Sequence, residues 1–294
     1  MKSKKLLGII LLSSAACIWG GMFVVVKSVV GTIAPIQLVW LRYLIAIPTL
    51  LVWSLLTHEK WRWNRHDLGL IILIGLIGNT LSIVTQETGT WLSNAQTGAV
   101  VTSATPTFML LFAWWLLREP LTQAKVWAVS LATVGVLIIV GPHFSGRHTV
   151  LGIGCLTIAA LTWALMSVLI KKLSGSYSAI QITTMSTLVA IICLTPIVIG
   201  HSATLTRISF DQPTIIGALG YLGIVSTAGA FVMWNRGLQL LPASSSGLFF
   251  LLQPIVGTLL GWLLLDETVS WTFILGTTLI ISSVWLAIRF DHTA

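Results

Sequence analysis

A few polar side chains stand inside long apolar runs, and their types limit the chemistry open to them. Asn79, Gln86, Thr105, Thr227 and Gln253 are amides and hydroxyls surrounded by Leu, Ile, Val and Gly. Amides offer donors and acceptors without charge, which suits an uncharged or zwitterionic solute. Trp19 and Trp163 stand in similar runs, and an indole face can stack on a flat or apolar part of a solute. In hydrocarbon each polar group must find a partner. For any one of these residues an interhelical hydrogen bond that holds a bundle together serves equally well. Asn79, Thr105, Thr227 and Gln253 fall near mid-membrane and Gln86 nearer the outside; as a set the polar residues favour a cavity, and with Trp19 and Trp163 they are the candidate substrate-binding residues. Glu87 is the acid within an apolar run and is the candidate proton carrier. Arg42 is a full charge close to the outer end of its run; it either snorkels or pairs with Glu87.

Other chemistries lack their residues. No glycine-rich loop precedes a phosphate-binding lysine, so there is no ATP motor. His58, His66, His143, His148, His201 and His292 fall in loops or tails, away from acids or cysteines at metal spacing. Cys17, Cys155 and Cys193 each lie in an apolar run and read as small core residues. An intramembrane enzyme would need an acid pair, a Ser/His set or a metal set at one depth. The reading therefore has no catalytic residue, no metal and no cofactor. The net charge of +8 comes from basic residues scattered through short loops, with no basic face for nucleic acid.

The elements that position these side chains follow from composition. Of 294 residues, 56% are hydrophobic and 8% charged, where a soluble domain carries about 25% charged. A soluble chain of this length could not hide that apolar surface, so lipid is the solvent for much of it. About ten apolar runs have spanning length: roughly 6–26, 36–57, 68–88, 93–117, 124–141, 150–170, 178–200, 214–236, 243–265 and 270–289. The first continues past "SSAAC" to Val26, which fits a retained helix rather than a cleaved signal. With the N-terminus in the cytoplasm, twelve Lys and Arg fall inside and Lys27, Arg147 and Arg207 outside, a strong positive-inside bias. Both termini are then cytoplasmic. Trp53, Trp61, Trp63, Trp115, Trp127, Trp234, Trp262, Trp271 and Trp285 fall near run ends, where indoles favour the interface.

Two of the runs nearly repeat each other. "TPTFMLLFAWWLLREP" (105–120) is answered by "QPIVGTLLGWLLLDET" (253–268). A shift of 148 lays Ala95–Glu119 on Ala243–Glu267 without a gap; a shift of 144 lays Trp19 on Trp163 and Lys27 on Lys171. At a shift of 145, Gly75 and Gly78 meet Gly220 and Gly223. Two diverged copies of five segments follow, 1–145 and 146–294. Five is odd, so the second copy is inverted in the membrane. Pro106 and Pro254 sit near the middle of their segments and should free the carbonyls of Thr102 and Phe250. Each is a helix kink that either lends a carbonyl to a cavity or is satisfied by a neighbouring Ser or Thr. Glu119 and Glu267 end their segments and read as structural charges that cap the next helix. Arg42 is a third structural charge, opposite Ser186 or a neighbour in the second copy.

The chain resembles the EamA-type repeat of the drug/metabolite transporter superfamily. The likeness rests on "CIWGGMFVVVK", "VWLRYLIA" and "TGTWLSNAQTGAVVTSATPTFMLLFAWWLLREPLT", and on "LTWALMSVLIKK" and "RGLQLLPASSSGLFFLLQPIVGTLLGWLLLDETVS" in the second copy. It implies ten helices, a central cavity lined by segments one, three, four, six, eight and nine, and a peripheral segment two. The expected fold is an all-α integral membrane protein: ten transmembrane helices as two inverted five-helix repeats. The expected function is secondary active or facilitative transport, exporting a small metabolite such as an amino acid by alternating access. A polytopic sensor or structural protein is the competing reading, and it needs no mid-membrane polar set. The expected partners are the metabolite and membrane lipid, not nucleic acid; a monomer suffices, in the cytoplasmic membrane of a cell.

Overall fold

A computed structural model of the chain describes residues 2–93, 95–140, 147–173, 175–201, 205, 208–265 and 271–290. Glu267 lies outside them. The described residues are helical: α1 (Lys2–Val29), α2 (Pro35–Leu56), α3 (Arg65–Leu92), α4 in two pieces (Ala95–Thr102 and Thr105–Leu117), α5 (Gln123–Val140), α6 (Arg147–Leu173), α7 (Ala179–Gly200), α8 (Pro213–Leu240), α9 (243–265) and α10 (Trp271–Phe290). Six of them, α1, α2, α3, α6, α7 and α8, are long and apolar enough to cross a membrane, and shorter apolar helices cover Thr105–Leu117, Ala243–Gly257 and Ile274–Ser283. The protein is a multi-pass membrane protein. Local signals set the starts: Pro35 and Pro213 open α2 and α8, while Asn64 and Ser178 cap α3 and α7 through their side-chain oxygens.

Packing repeats in exchange. α1 packs on α8 and α9, and α6 packs on α3 and α4. α2 packs on a π-helical stretch of α8 (Tyr221–Gly229), and α7 on one of α3 (Gly75–Ser82). α5 and α10 pack on each other, with Gly135 letting in the carbonyl of Gly276.

The two π-stretches fix the register of the repeat. A Cβ on Gly75 would stand 2.6 Å from Val189 Cβ and 2.9 Å from the Ser186 carbonyl oxygen. A Cβ on Gly223 would stand 2.6 Å from Ile45 Cβ and 3.0 Å from the Arg42 carbonyl oxygen. Ile45 and Arg42 precede Val189 and Ser186 by 144 residues, so Gly223 is the counterpart of Gly75. The shift of 145 expected for these glycines is corrected to 148, the value that also relates α4 to α9. Gly220, with nothing within 4 Å, has no such task.

The lysines obey the same rule. Lys27 Nζ donates to the carbonyls of Thr90 (3.3 Å) and Ser93 (2.7 Å) at the end of α3. Lys171 Nζ donates to those of Leu238 (2.6 Å) and Leu241 (2.7 Å) at the end of α8. Each lysine therefore supplies the cation that a helix C-terminus favours, and Leu238 and Leu241 follow Thr90 and Ser93 by 148. Of the tryptophans assigned to the interface, Trp115, Trp127, Trp271 and Trp285 are exposed. Trp234 is not an interface residue: it is fully buried, its Nε1 on Ser167 Oγ at 3.1 Å.

Gly223→Ala should lower thermal stability in detergent by about 1–3 kcal/mol, as overpacking does. Gly220→Ala should leave it unchanged or raise it, by up to about 1 kcal/mol of helix propensity. Equal effects from the two would contradict the corrected register.

Candidate functional site: an aromatic cavity at the helix junction

Five rings from α1, α6, α8 and α9 meet at the centre. Trp19 and Trp163 touch edge to face with centroids 5.1 Å apart. Phe231 lies 5.1 Å from Trp163, and Phe250 lies 4.7 Å from Trp234 and 5.5 Å from Trp19. These are the offset and edge-to-face distances that aromatic pairs prefer. Beside the rings is a cavity lined by Trp19, Met22, Ile83, Gln86, Trp163, Phe231, Phe250 and Gln253. The free space holds about one water molecule. The two tryptophans expected to stack on a solute touch each other here.

Trp19 Nε1 donates to the Ser226 carbonyl at 3.0 Å. Trp163 Nε1 is buried without a partner, which is costly unless a ligand or water takes it. Gln86 is half-buried and Gln253 buried, and both line the cavity. So Trp19, Gln86, Trp163 and Gln253 come together.

The other three candidates are spent on structure. Thr105 Oγ1 donates to the Thr102 carbonyl at 2.6 Å. Of the two fates expected for the carbonyl that Pro106 frees, a cavity or a neighbouring Ser or Thr, the structure shows the second. Pro106 itself is not a mid-helix kink, because α4 is broken at Ser103–Ala104 and the proline opens the second piece, where a missing N–H costs nothing. In α9 a 3-10 stretch (Gly247–Leu251) precedes Pro254 and puts Phe250 into the ring cluster. Asn79 Nδ2 donates to Thr187 Oγ1 at 3.1 Å, joining α3 to α7. Thr227 Oγ1 accepts from Arg42 Nε at 2.8 Å, joining α8 to α2.

Segment two contributes no residue to the cavity and keeps Leu44, Leu51, Leu55 and Leu56 exposed, yet Arg42 reaches inward from it. Its side chain is fully buried. Nη1 meets Glu87 Oε1 at 2.6 Å and Nη2 meets Ser226 Oγ at 3.1 Å. Nη2 also lies 3.5 Å from Met22 Sδ, in the cavity wall. Snorkelling is excluded by that burial. Glu119 caps a helix, but not the next one. Its carboxylate accepts from the N–H of Ala243 (2.9 Å) and Ser244 (3.0 Å), closing the N-terminus of α9. The turn that aims it is Arg118, left-handed at φ 55°.

Met22, Ile83 and Phe231 escaped the sequence reading, and Phe250 entered it only by its carbonyl, since an apolar side chain in an apolar run looks lipid-facing. One signal was present: Phe231 follows Ile83 by 148 residues, and both line the cavity.

The pattern of the EamA-like transporter family matches residues 6–141 and again 150–289. The chain belongs to the EamA-like transporter family. Among its relatives, an uncharacterized transporter of Archaeoglobus fulgidus is 26% identical over 280 residues, 95% of this chain and 98% of that one. A probable amino-acid metabolite efflux pump of Escherichia coli is 26% identical over 282 residues, 92% of this chain and 90% of that one. A crystal structure superposes with a TM-score of 0.79 at 19% identity, covering 97% of this chain and 98% of its own, a likeness of fold. Family and relatives make the chain a membrane transporter, and its substrate a small molecule.

Glu119→Ala should cost about 1–2 kcal/mol in thermal unfolding, the loss of an N-cap. Glu119→Gln, which keeps an acceptor, should cost less. No loss with either would remove the cap from the account.

Proposed function

We propose that this transporter exports a small metabolite, an amino acid or similar solute, by secondary active or facilitative alternating access. In this reading it is ten transmembrane helices in two inverted halves, 1–145 and 146–294, with both termini in the cytoplasm and the cell membrane as its site. The reading rests on one observation: the narrow aromatic cavity with the unpartnered Trp163 N–H. It lies where helices separated by the repeat interval meet, and such a junction is where an inverted-repeat carrier binds its solute. Solute binding replaces the Trp19–Trp163 contact, so the contact marks a state with the site shut. The probable amino-acid metabolite efflux pump of Escherichia coli among its relatives supports an amino acid as the cargo.

Gln86, Gln253 and the Trp163 N–H present neutral donors and acceptors. They hold a solute whose apolar part lies against the rings and whose polar part bonds to the amides.

The test is counterflow. Purified protein in liposomes loaded with unlabelled amino acids should transiently accumulate a labelled one without ATP. Trp163→Phe keeps the ring and removes the donor. It should raise the half-saturating concentration about tenfold, the worth of one hydrogen bond of ~1.4 kcal/mol. Normal accumulation with unchanged affinity would remove Trp163 from the site. No accumulation across amino acids, nucleobases and sugars would favour a sensor or structural role.

A further inference from the structure

Arg42 and Glu87 form the one ion pair among the described residues, and both side chains are fully buried. Their hydrogen-bonding is unequal. Arg42 uses Nε, Nη1 and Nη2 on Thr227, Glu87, Ser226 and Met22. Glu87 uses only Oε1; Oε2 is buried and has no partner. A carboxylate can accept about four hydrogen bonds, and a buried anionic oxygen left bare is costly. A buried acid with a bare oxygen inside a membrane protein is built to be met by something that comes and goes.

A metal ion does not fit. No group of three or more His, Cys, Asp or Glu that could hold one occurs among the described residues. The other charged and titratable groups around Glu87 are already engaged. From α2, the Tyr43 hydroxyl donates to the Asn79 carbonyl at 2.6 Å. From α8, the Tyr221 hydroxyl donates to the Ile18 carbonyl at 2.6 Å. From α1, Lys27 lies on carbonyls at the end of α3. α6 brings Gly152, Leu156 and Ala159 against this stretch of α3, none of them titratable. The ligand that needs no further protein group is a proton.

We propose that Glu87 is a proton-exchange site that couples transport to the proton gradient, with Arg42 as its fixed counter-charge. The step is a bare protonation. One proton from water on one side adds to Oε2, the carboxylate becomes a neutral acid, and the same proton later leaves to water on the other side. No other bond changes. The pair goes from neutral to one net positive charge, because arginine does not give up its proton. Nη1 then loses its anionic acceptor while Nε and Nη2 still hold Thr227 and Ser226 on α8. Protonation thus disturbs the joint of α2 and α3 with α8. Met22 is the link to the solute: its sulfur touches Arg42, and its side chain lines the cavity.

Coupling rests on the transport reading; the proton site itself does not. Glu87 is the acid within an apolar run of the sequence, so an infrared carbonyl band from a protonated carboxylic acid in an apolar setting reports on it. Wild-type protein in lipid films should gain such a band as the pH is lowered, downshifted in heavy water, and Glu87→Gln should lack it. No band at any pH, or the same band in Glu87→Gln, overturns the proton site. In liposomes, an imposed pH gradient should enhance accumulation of labelled amino acid by wild type and not by Glu87→Gln. A wild-type carrier that works in counterflow but ignores the gradient overturns the coupling. The band without any counterflow would overturn the transport reading and leave the proton site standing.

Discussion

A guanidinium taken fully out of water must have its donors met, and this one requirement organises the centre of the molecule. Arg42 is held by groups on α3, α8 and α1. Losing one partner of such a pair typically costs about 3–5 kcal/mol, because a buried charge is left alone. The hub therefore fixes how α2, α3 and α8 sit against one another. It also sets the backbone. For Arg42 to reach Thr227 and Ser226, α2 must run close to the π-stretch of α8, so close that its carbonyl stands 3.0 Å from where a Cβ on Gly223 would be. Charge and close approach are solved by the same few residues.

The second constraint is the backbone's own hydrogen bonding in hydrocarbon. Helices that stay regular across the membrane make no opening. Here α3 and α8 widen into π-stretches, and α4 and α9 are broken or tightened just before their prolines. Two of the carbonyls at these irregular stretches are met by hydroxyls: Thr105 on that of Thr102 and Tyr43 on that of Asn79. Such irregular turns gather at functional sites, and here they flank the rings. The polar residues inside the apolar runs thus divide by task. Some repair the scaffold, and Gln86 and Gln253 line the cavity.

That division is what the sequence could not express. Composition, the positive-inside bias and the repeat pointed to a membrane bundle, because each is a property of the chain alone. The tryptophan pair was legible through the shift of 144. Whether Thr227 meets a solute or Arg42 depends on which helix stands opposite, and residue types do not carry that. The glycine register failed for a related reason. Two Gly-x-x-Gly stretches align by eye at 145, yet only contact with α2 or α7 tells a packing glycine from an idle one. Glu119 was assigned the right kind of contact and the wrong neighbour, and Trp234 the wrong environment, since both reach across to elements distant in the chain.

The repeat is also where the two copies part. Trp19 has its hydrogen bond to the carbonyl of Ser226; Trp163, its counterpart, has none. The residue 148 before Ser226 is Gly78. Lacking a side chain, Gly78 admits the sulfur of Met166, so close that no Cβ would fit there. Met166 is in turn the counterpart of Met22, which lies against Arg42 and lines the cavity instead. One Gly-to-Ser difference therefore turns a methionine from packing into cavity wall. It gives Arg42 a hydroxyl on α8, while the indole donor is bonded on α1 and bare on α6. Were the copies identical, each indole would stand in an equivalent setting. Their divergence places the neutral donor on one helix and the ion pair behind the other.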